Sequence, residues 1–357
     1  MRFLIAPDGF KGGMSSSEFC SAAKYSLEKR GYETYCLPLT DGGDGFVSTF
    51  TDILGGDTLV CRVTDPNFFI KNARYGVKGD TAIIGAAECC GLAKTMIKNP
   101  LYATSYGLGE AVDLAKKLNK KKIVIGLGGS ATNDGGAGVV CALGGRFFDK
   151  NGEEFTPVGN TLKDIERIDL TDFDEKIAGM EFTVLVDVKN PLLGKDGCSY
   201  RYAMQKGAKE EELAELEENM KHFAEKTAFL NVSPDFPGAG AAGGLGYCFK
   251  AFFKAEIVSG AEYVLDESGF DEKLSRCDAV ITGEGKFDDT SFEGKICSAV
   301  IDRAKKAGKK VYVMCGLNAT DRHDVIEIND RQASLADNIR HSAENLQKVL
   351  EKTEFDL

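Results

Sequence analysis

A glycine-rich segment near the middle of the chain follows a short run of apolar residues. Residues 123–126 are β-branched or small, as in a buried strand, and residues 128–138 then combine glycines with short polar side chains. Glycine lets the backbone approach an anion closely, and successive N–H groups of a turn create a concave surface of positive potential. A helix that begins at Ala137 would add the positive end of its dipole. The segment therefore predicts an α/β fold with a strand-to-helix connection that binds a phosphate or carboxylate group.

Two other interpretations of this segment stay open. Residues 133–136, Asn-Asp-Gly-Gly, are also typical of a simple tight turn. Gly126, Gly128 and Ala131 match the spacing of a dinucleotide-binding turn, with Asp149 as the acid for the ribose. The match is incomplete, because Asn-Asp-Gly-Gly stands where that motif needs the first turn of a helix. An NAD(P)-dependent oxidoreductase is therefore the competing enzyme class.

The remaining apolar patterns predict strands and helices on both sides of this segment. The predicted strands are 2–6, 34–37, 59–63, 74–77, 81–86, 182–187, 279–282 and 310–314. Helices are predicted after the capping box of Ser15 and Glu18, at 46–54, 105–118, 209–229 and 296–307, and near the end of the chain. Short turns join the strands between 59 and 86, so we expect antiparallel structure and a second architecture there. With 357 residues the chain is long enough for two α/β domains.

Charge and cysteine usage limit the partners and the compartment. A net charge of −11 argues against a surface for nucleic acids or anionic membranes, so we expect small-molecule substrates. The oligomeric state stays open, a homo-oligomer included. Eleven cysteines without a CxxC pair indicate buried thiols in a reducing compartment. The apolar stretch at the N-terminus is too short for a secretion signal, and no apolar run is long enough to cross a membrane. We therefore expect a cytoplasmic protein.

Five strand-end or glycine-rich loops share glycine, one or two carboxylates and, in several cases, a lysine. They contain Asp8 with Lys11, Asp41 with Asp44, Ser130 with Asn133 and Asp134, Asp187 with Asn190, and Glu284 with Lys286 and Asp288. One such loop is usually only solvated or caps a helix. Five of them predict a phosphoryl-transfer site, because ligands bind at the carboxyl ends of strands in open α/β sheets. There carboxylates would hold Mg²⁺, lysines would neutralise phosphate oxygens and one aspartate would accept the proton of the attacking hydroxyl.

Other reaction classes lack the residues that they need. The histidines lie in or near predicted solvated helices, and neither a catalytic serine or cysteine pair nor a zinc spacing is evident. Gly285-Lys286 and Gly294-Lys295 lack the upstream glycine of a Walker A motif, so a kinase with this sequence lies outside the P-loop class. The GxGxxG pattern of residues 238–243 has no preceding strand, which favours an anion-binding or close-packing loop over a dinucleotide site.

Six motifs, taken in order, resemble those of the bacterial type I glycerate kinases. They are IAPDGFKG at 5–12, TDGGDG at 40–45, GGSATNDGGAG at 128–138, DVKNPLLG at 187–194, GAGAAGGLG at 238–246 and ITGEGK at 281–286. The resemblance covers most of the chain, from residue 3 to about residue 300. It implies ATP- and Mg²⁺-dependent phosphorylation of D-glycerate, typically to 2-phosphoglycerate.

The same resemblance implies an α/β fold of two domains with the active site in the cleft between them. A flavodoxin-like doubly wound domain would comprise 1–58 and 275–357, and a second mixed α/β domain, 59–274, would be inserted into it. The strand at 122–127 is assigned to either domain.

The resemblance also suggests roles for the residues of the shared motifs. We expect Asp8, Asp187 and Lys11 to be catalytic, Gly128, Gly129, Ser130, Thr132, Asn133, Asp134, Asn190 and Lys286 to bind substrate or phosphate, and Asp41, Asp44, Glu284 and Asp288 to hold the metal. The chain departs from the family pattern at Gly9, Asp44 and Lys286, where serine, glutamate and arginine are usual, and after Leu317, where it is shorter. Lysine cannot make the bidentate phosphate contact of arginine. A non-catalytic sugar-acid sensor related to these kinases is therefore a second alternative.

Overall fold

The computed structural model describes residues 1–10, 12–288, 291, 295–322 and 324–356. Its strands are β1 (Arg2–Ile5), β2 (Glu33–Cys36), β3 (Asp57–Thr64), β4 (Ile70–Lys78), β5 (Thr81–Gly85), β6 (Lys122–Gly126), β7 (Arg146–Phe148), β8 (Glu154–Phe155), β9 (Arg167–Asp169), β10 (Glu181–Leu185), β11 (Glu256–Val258), β12 (Ala279–Phe287), β13 (Lys310–Asn318) and β14 (Val325–Glu327).

The helices alternate with these strands along most of the chain. They are α1 (Ser16–Lys29), α2 (Phe46–Ile53), α3 (Ala86–Cys90), α4 (Tyr106–Lys117), α5 (Ala137–Ala142), α6 (Thr171–Ile177), α7 (Cys198–Tyr202), α8 (Leu213–Lys226), α9 (Leu245–Phe253), α10 (Gly260–Glu267), α11 (Phe270–Ser275), α12 (Ile296–Lys306), α13 (Leu335–Arg340) and α14 (Ser342–Lys352). Single 3₁₀ turns lie at Leu92–Lys94, Leu162–Asp164, Met204–Lys206, Glu210–Glu212, Ala228–Leu230 and Ala241–Gly243. In the described part of the chain, no helix has the length and apolar character needed to span a bilayer.

The chain forms two compact units, and the first is built from both ends of the sequence. It comprises Met1–Asp41, Asp52–Leu54 and Ser259–Leu357. Its five strands form one parallel sheet in the order β14-β13-β12-β1-β2. Numbered along the unit, this is the order 2-1-3-4-5 of flavodoxin-like folds. The predicted flavodoxin-like sheet is therefore confirmed.

Helices cover both faces of this sheet, because successive side chains of a parallel strand point to opposite sides. On β13, Tyr312 and Met314 pack with α1 and α14, whereas Val313 and Cys315 pack with α12. The predicted capping box fixes the start of α1: Ser15 Oγ accepts from the N–H of Glu18, and the Glu18 carboxylate accepts from the N–H of Ser15 at 2.7 Å.

The second unit comprises Gly42–Thr51 and Gly55–Val258 and is a mixed α/β structure. Its main sheet has the order β11-β10-β6-β5-β4-β3, in which β11, β10, β6 and β5 are parallel and β4 and β3 are antiparallel. A second, antiparallel sheet has the order β8-β7-β9. The expected antiparallel strands are confirmed for β3 and β4, while β5 pairs antiparallel with β4 and parallel with β6.

Several elements differ from their predicted limits. β12 does not end at Thr282 but continues to Phe287, because β13 is also longer and pairs with it up to Asn318. Glu284 and Lys286 are therefore strand residues and not loop residues. The first unit resumes at Ser259, ahead of the expected residue 275, and the strand at 122–127 belongs to the second unit as β6.

Candidate active site

Four of the predicted acids lie at the carboxyl edge of the parallel sheet of the first unit. Asp8 follows β1, Asp41 lies in the segment after β2, and Glu284 and Asp288 lie at the end of β12. The N–H of Asp8 donates to the Gly283 carbonyl at 2.9 Å, so the segment after β1 is held against β12. This edge is where parallel α/β sheets bind their ligands.

Glu284 is the most buried acid of this group, with 7% of its surface exposed. Its Oε1 atom has no hydrogen-bond partner among the described residues. Burial raises the pKa of the Glu284 carboxyl, and the negative charges of Asp288 and Asp41 raise it further, against the opposing effects of Ser291 and Lys295. A carboxylate that is desolvated and surrounded by like charges is stabilised by a cation.

This acidic group fits a hard divalent cation. No set of three or more His, Cys, Asp or Glu side chains within the described ranges is already arranged around a metal position. Such a set is not required, because Mg²⁺ keeps several waters and commonly takes only one or two protein carboxylates. Glu284 meets that smaller requirement, because its buried oxygen has no partner among the residues described here and because Asp41 and Asp288 are close enough to act on its charge.

Of the two lysines predicted for the first unit, Lys286 lies within the described residues and Lys11 does not. Lys286 forms an ion pair with Asp288 at 2.9 Å, and its side chain is 58% exposed. The lysine thus holds its positive charge next to one of the predicted metal carboxylates.

In the second unit, the segments that follow β5, β6 and β10 meet at the carboxyl edge of the parallel strands. The N–H of Leu127 donates to the Leu185 carbonyl at 3.3 Å, and the N–H of Ala131 donates to the Cys90 carbonyl at 2.8 Å. Asp187, which is partly exposed, follows β10 on the same edge. The structure therefore brings the segment 128–133 next to the start of the segment that holds Asp187 and Asn190.

A further loop of the second unit, which contains Asp44, lies against the same segment. The N–H of Gly128 donates to the Gly42 carbonyl at 3.1 Å. A Cβ atom placed on Gly129 would lie 3.4 Å from Oδ1 of Asp44. The exposed carboxylate of Asp44 is thus a neighbour of the predicted anion-binding turn.

Asp134 is fully buried, and its hydrogen bonds hold the turn together. Its Oδ2 atom accepts from the N–H of Ser105 at 2.8 Å and from the Ser105 hydroxyl at 2.7 Å, and its Oδ1 accepts from the N–H of Gly136 at 3.1 Å. In α5, Gly138 donates to Asp134 and Val139 to Ser105. The expectation that the N-terminus of α5 faces an anion is therefore not supported, because its N–H groups are used inside the protein.

Helix α7 supports both strand-end segments of this unit. Nδ2 of the buried Asn133 donates to the Ser199 hydroxyl at 3.2 Å, while Asn133 Oδ1 has no partner in the part of the chain that the structure describes. The Tyr202 hydroxyl donates to Oδ1 of Asn190, and Asn190 Nδ2 donates to the Asp196 carbonyl at 2.8 Å. Serine and tyrosine in a helix carry no site signal, so sequence reasoning missed both supports.

Lys206 is the other site residue that sequence reasoning missed. It is 3% exposed, and its ammonium donates to the Ser130 hydroxyl oxygen at 3.1 Å and to the Thr132 carbonyl at 2.8 Å. Burial lowers the pKa of Lys206 to about 8. The residue stands in a short 3₁₀ turn outside any motif, so only the fold reveals that it lies beneath the predicted anion-binding turn.

The GxGxxG segment packs tightly against that turn, in agreement with the close-packing alternative, while the anion-binding alternative stays a prediction. Gly243 has a φ of +74°, and a Cβ atom on it would lie 2.0 Å from the Thr132 carbonyl oxygen. The backbone at this position therefore requires glycine for two separate reasons, the left-handed conformation and the lack of space.

We expect Gly243→Ala to lower the free energy of unfolding by about 2–4 kcal/mol, since it adds overpacking to backbone strain. Urea denaturation of the purified protein measures this loss. Gly152→Ala is the matched control, because Gly152 has a φ of +81° with nothing within 4 Å of an added Cβ. The control should lose only about 1 kcal/mol. Equal losses in the two variants would contradict the packing argument.

In the structure, Asp149 does not lie where a dinucleotide-binding site needs the acid for the ribose. Asp149 lies in the turn between β7 and β8, where its Oδ1 accepts from the N–H groups of Asn151 at 2.8 Å and Glu153 at 2.9 Å. In a dinucleotide-binding unit the corresponding acid follows a parallel strand beside the first one. β7 and β8 are antiparallel and belong to a different sheet from β6.

Comparison with known proteins gives consistent matches over almost the whole chain. A model described as the glycerate kinase family matches residues 3–355. The glycerate kinase of Bacillus subtilis (strain 168) is 35% identical over 98% of this chain and 96% of its own length. The glycerate 2-kinase of Escherichia coli (strain K12) is 39% identical over 88% of this chain and 85% of its own. A crystal structure assigned to glycerate kinase 2 from Salmonella typhimurium LT2 superposes with a TM-score of 0.85 at 34% identity, covering 98% of this chain and 96% of that one.

Proposed function

The chain belongs to the glycerate kinase family, and on this premise we propose that it transfers a phosphoryl group from ATP to D-glycerate in a Mg²⁺-dependent reaction that forms 2-phosphoglycerate and ADP. The observation that carries the proposal beyond the family is Glu284, a buried carboxylate at the ligand-binding edge of a parallel sheet. One of its oxygens has no hydrogen-bond partner in the part of the chain that the structure describes. Phosphoryl transfer depends mainly on positioning and on charge stabilisation, and both units offer residues for these tasks.

We assign the acids at the strand ends as ligands of the metal ion. Glu284 is the principal ligand, with Asp41 and Asp288 as further candidates in the same unit. Asp44, the other acid that the sequence proposes for the metal, lies beside the turn after β6 in the second unit. Bound Mg²⁺ supplies neutralisation of the charge on the phosphate oxygens. Lys286 and Lys11 add positive charge for the same oxygens.

Asp187 or Asp8 is assigned as the proton acceptor. Each follows a parallel strand and each is partly exposed, so each is open to a ligand at its own sheet edge. The carboxylate takes the proton of the glycerate hydroxyl as the oxygen forms its bond to the γ-phosphorus. The bond between that phosphorus and the bridging oxygen breaks, and the electron pair leaves with ADP.

We assign the turn after β6 as the binding site for the anionic groups of the substrates. Gly128, Gly129, Ser130, Thr132 and Asn133 are the candidates for this role. The N–H of Gly128 and Nδ2 of Asn133 already donate to Gly42 and Ser199, so the Ser130 hydroxyl is the favoured donor to carboxylate or phosphate oxygens. Asn190 and Asp134 are engaged in hydrogen bonds that hold the two strand-end segments in place. For these two residues the structure thus favours a supporting role over direct ligand contact.

We propose small molecules as the partners and the cytoplasm as the location. Support comes from the net charge of −11, which disfavours polyanionic surfaces. Further support comes from the eleven free cysteines, most of them buried, since disulfides do not persist in the cytoplasm.

A coupled assay tests the function and the product together. The purified protein is incubated with ATP, Mg²⁺ and D-glycerate, and enolase alone reports 2-phosphoglycerate as phosphoenolpyruvate. A signal that appears only after phosphoglycerate mutase is added identifies 3-phosphoglycerate and overturns the product assignment. No turnover with D-glycerate or with other C3 and C4 hydroxy acids overturns the kinase proposal, and glycerate binding without ATP consumption favours the sensor.

A further inference from the structure

Lys206 carries a positive charge into the interior of the second unit without an ion-pair partner among the described residues. Its ammonium makes two hydrogen bonds, to the Ser130 hydroxyl oxygen and to the Thr132 carbonyl oxygen. Burying an ammonium costs free energy unless a carboxylate or another favourable interaction compensates. Both acceptors belong to the turn after β6, so the cost is incurred at the predicted anion-binding site.

The hydrogen bond from Lys206 determines what Ser130 can do. A serine hydroxyl has one proton to donate and two lone pairs that accept. The ammonium has no lone pair, so it must be the donor, and it occupies one acceptor position of Ser130 Oγ. No described residue accepts the Ser130 proton. The hydroxyl is therefore left to donate to a ligand oxygen.

Three titratable groups face Lys206, and the carboxylate among them, Asp134, raises the pKa of Lys206 without an ion-pair contact to it. The three groups are Cys198 of α7, Cys90 at the end of α3, and Asp134 of the turn itself. Burial raises the pKa of the Cys198 and Cys90 thiols to about 12, so both stay neutral. Asp134 already accepts hydrogen bonds from Ser105. The charge of Lys206 thus remains available to an anion bound at the turn.

We propose that Lys206 is a positioning residue for the proposed reaction, because it fixes Ser130 as a hydrogen-bond donor to a carboxylate or phosphate oxygen of the substrate and adds a buried positive charge to the affinity for that anion. The inference rests on the proposed function and extends it to a residue outside the family motifs quoted above.

The proposal predicts a pH dependence with a definite sign. Burial lowers the pKa of Lys206 to about 8 in the free protein, so the charge is complete below that pH and is lost above it. A bound anion stabilises the charged form and raises the pKa of Lys206. By linkage, anion affinity must fall as the pH rises through 8 and above, and anion binding in that range must take up a proton.

Steady-state kinetics of the full chain test whether the affinity for the anion falls as the pH rises. For the natural protein we expect the KM for glycerate to rise about tenfold or more between about pH 7 and pH 9.5, with a smaller change in kcat. Lys206→Met should have the high KM at every pH, and Lys206→Arg, which keeps its charge, should have a flat profile. Ser130→Ala should raise the KM and should add little to Lys206→Met. Lys221→Met, on the exposed side of α8, is the matched control and should behave as the natural protein.

A KM that does not change with pH in the natural protein overturns the proposal, and this result does not depend on whether Lys206→Met folds. A rise in KM that persists unchanged in Lys206→Arg also overturns it. Turnover of glycerate at pH 7 decides the proposed function separately. If no hydroxy acid is turned over, calorimetry with 2-phosphoglycerate at pH 9 in buffers of different ionisation enthalpy decides the inference. Proton uptake on binding supports it, and the absence of binding or of uptake overturns it.

Discussion

The Glu284→Gln variant is expected to lose about 100-fold or more of kcat at a fixed Mg²⁺ concentration, while its free energy of unfolding stays equal or increases. Glutamine keeps the size of the side chain and removes the negative charge that would hold the metal. The same change relieves the desolvation that raises the pKa of Glu284 and the repulsion from Asp288 and Asp41. Kinetics with a Mg²⁺ titration and thermal unfolding measure the two effects in the same preparation.

An opposite response of activity and stability is what separates a functional acid from a structural one. Glu272→Gln is the control in the same unit, because Glu272 is exposed and, among the described residues, forms an ion pair only with the exposed Arg276. Its kcat and stability should both stay close to those of the natural protein. A Glu284→Gln variant with full activity would remove Glu284 from the metal site. A variant that is inactive because it is unfolded would show that the acid stabilises the sheet.

The Asp134→Asn variant is expected to lose about 3–5 kcal/mol of unfolding free energy. The carboxylate accepts from Ser105 and from the N–H groups of Gly136 and Gly138. An amide places two protons where only acceptors fit, so at least one buried N–H loses its partner and faces another donor. Urea denaturation measures the loss, and activity should fall with it because the turn after β6 depends on these bonds.

Asp235→Asn is the control for this substitution, since Asp235 is an exposed residue of the same unit whose carboxylate has no hydrogen bond among the described residues. It should change the stability by less than about 0.5 kcal/mol. If Asp134→Asn unfolds at the same urea concentration as the control but no longer binds phosphate, Asp134 contacts the ligand and the original expectation of a binding residue holds instead.

Local sequence patterns predicted most elements of the fold because they depend on side-chain alternation and on caps. The Ser15–Glu18 pair marks the start of α1, and apolar runs mark the central strands of both sheets. The end of β12 was missed, because its last residues, Gly-Glu-Gly-Lys-Phe, have the composition of a loop and are strand only by pairing with β13. The helix predicted at 105–118 is α4, which ends at Lys117, so Leu118 lies after its last turn and is exposed.

The acids of the candidate site were predictable, because strands that end in glycine and carboxylate residues are recognisable one at a time. The residues that hold the strand-end segments of the second unit in place were not predictable. Lys206, Ser199 and Tyr202 reach the two strand-end segments from short helical turns distant in sequence. No periodicity or motif connects such residues to a site, and only the packed structure shows which polar atoms they contact.

The assembly of the first unit from both ends of the chain has a consequence for synthesis on the ribosome. β1 pairs with β2 at once, but its other neighbour, β12, lies far along the chain, as the bond from the N–H of Arg2 to Asp278 across 276 residues shows. At about 5–20 residues per second, roughly 15–55 s separate the emergence of these partners. The inserted unit ends at Val258, so its synthesis is complete only about 1–4 s before β12 begins to emerge. The nascent N-terminal strands therefore wait with one unpaired edge, which makes them the part of the polypeptide that chaperones are expected to hold during translation.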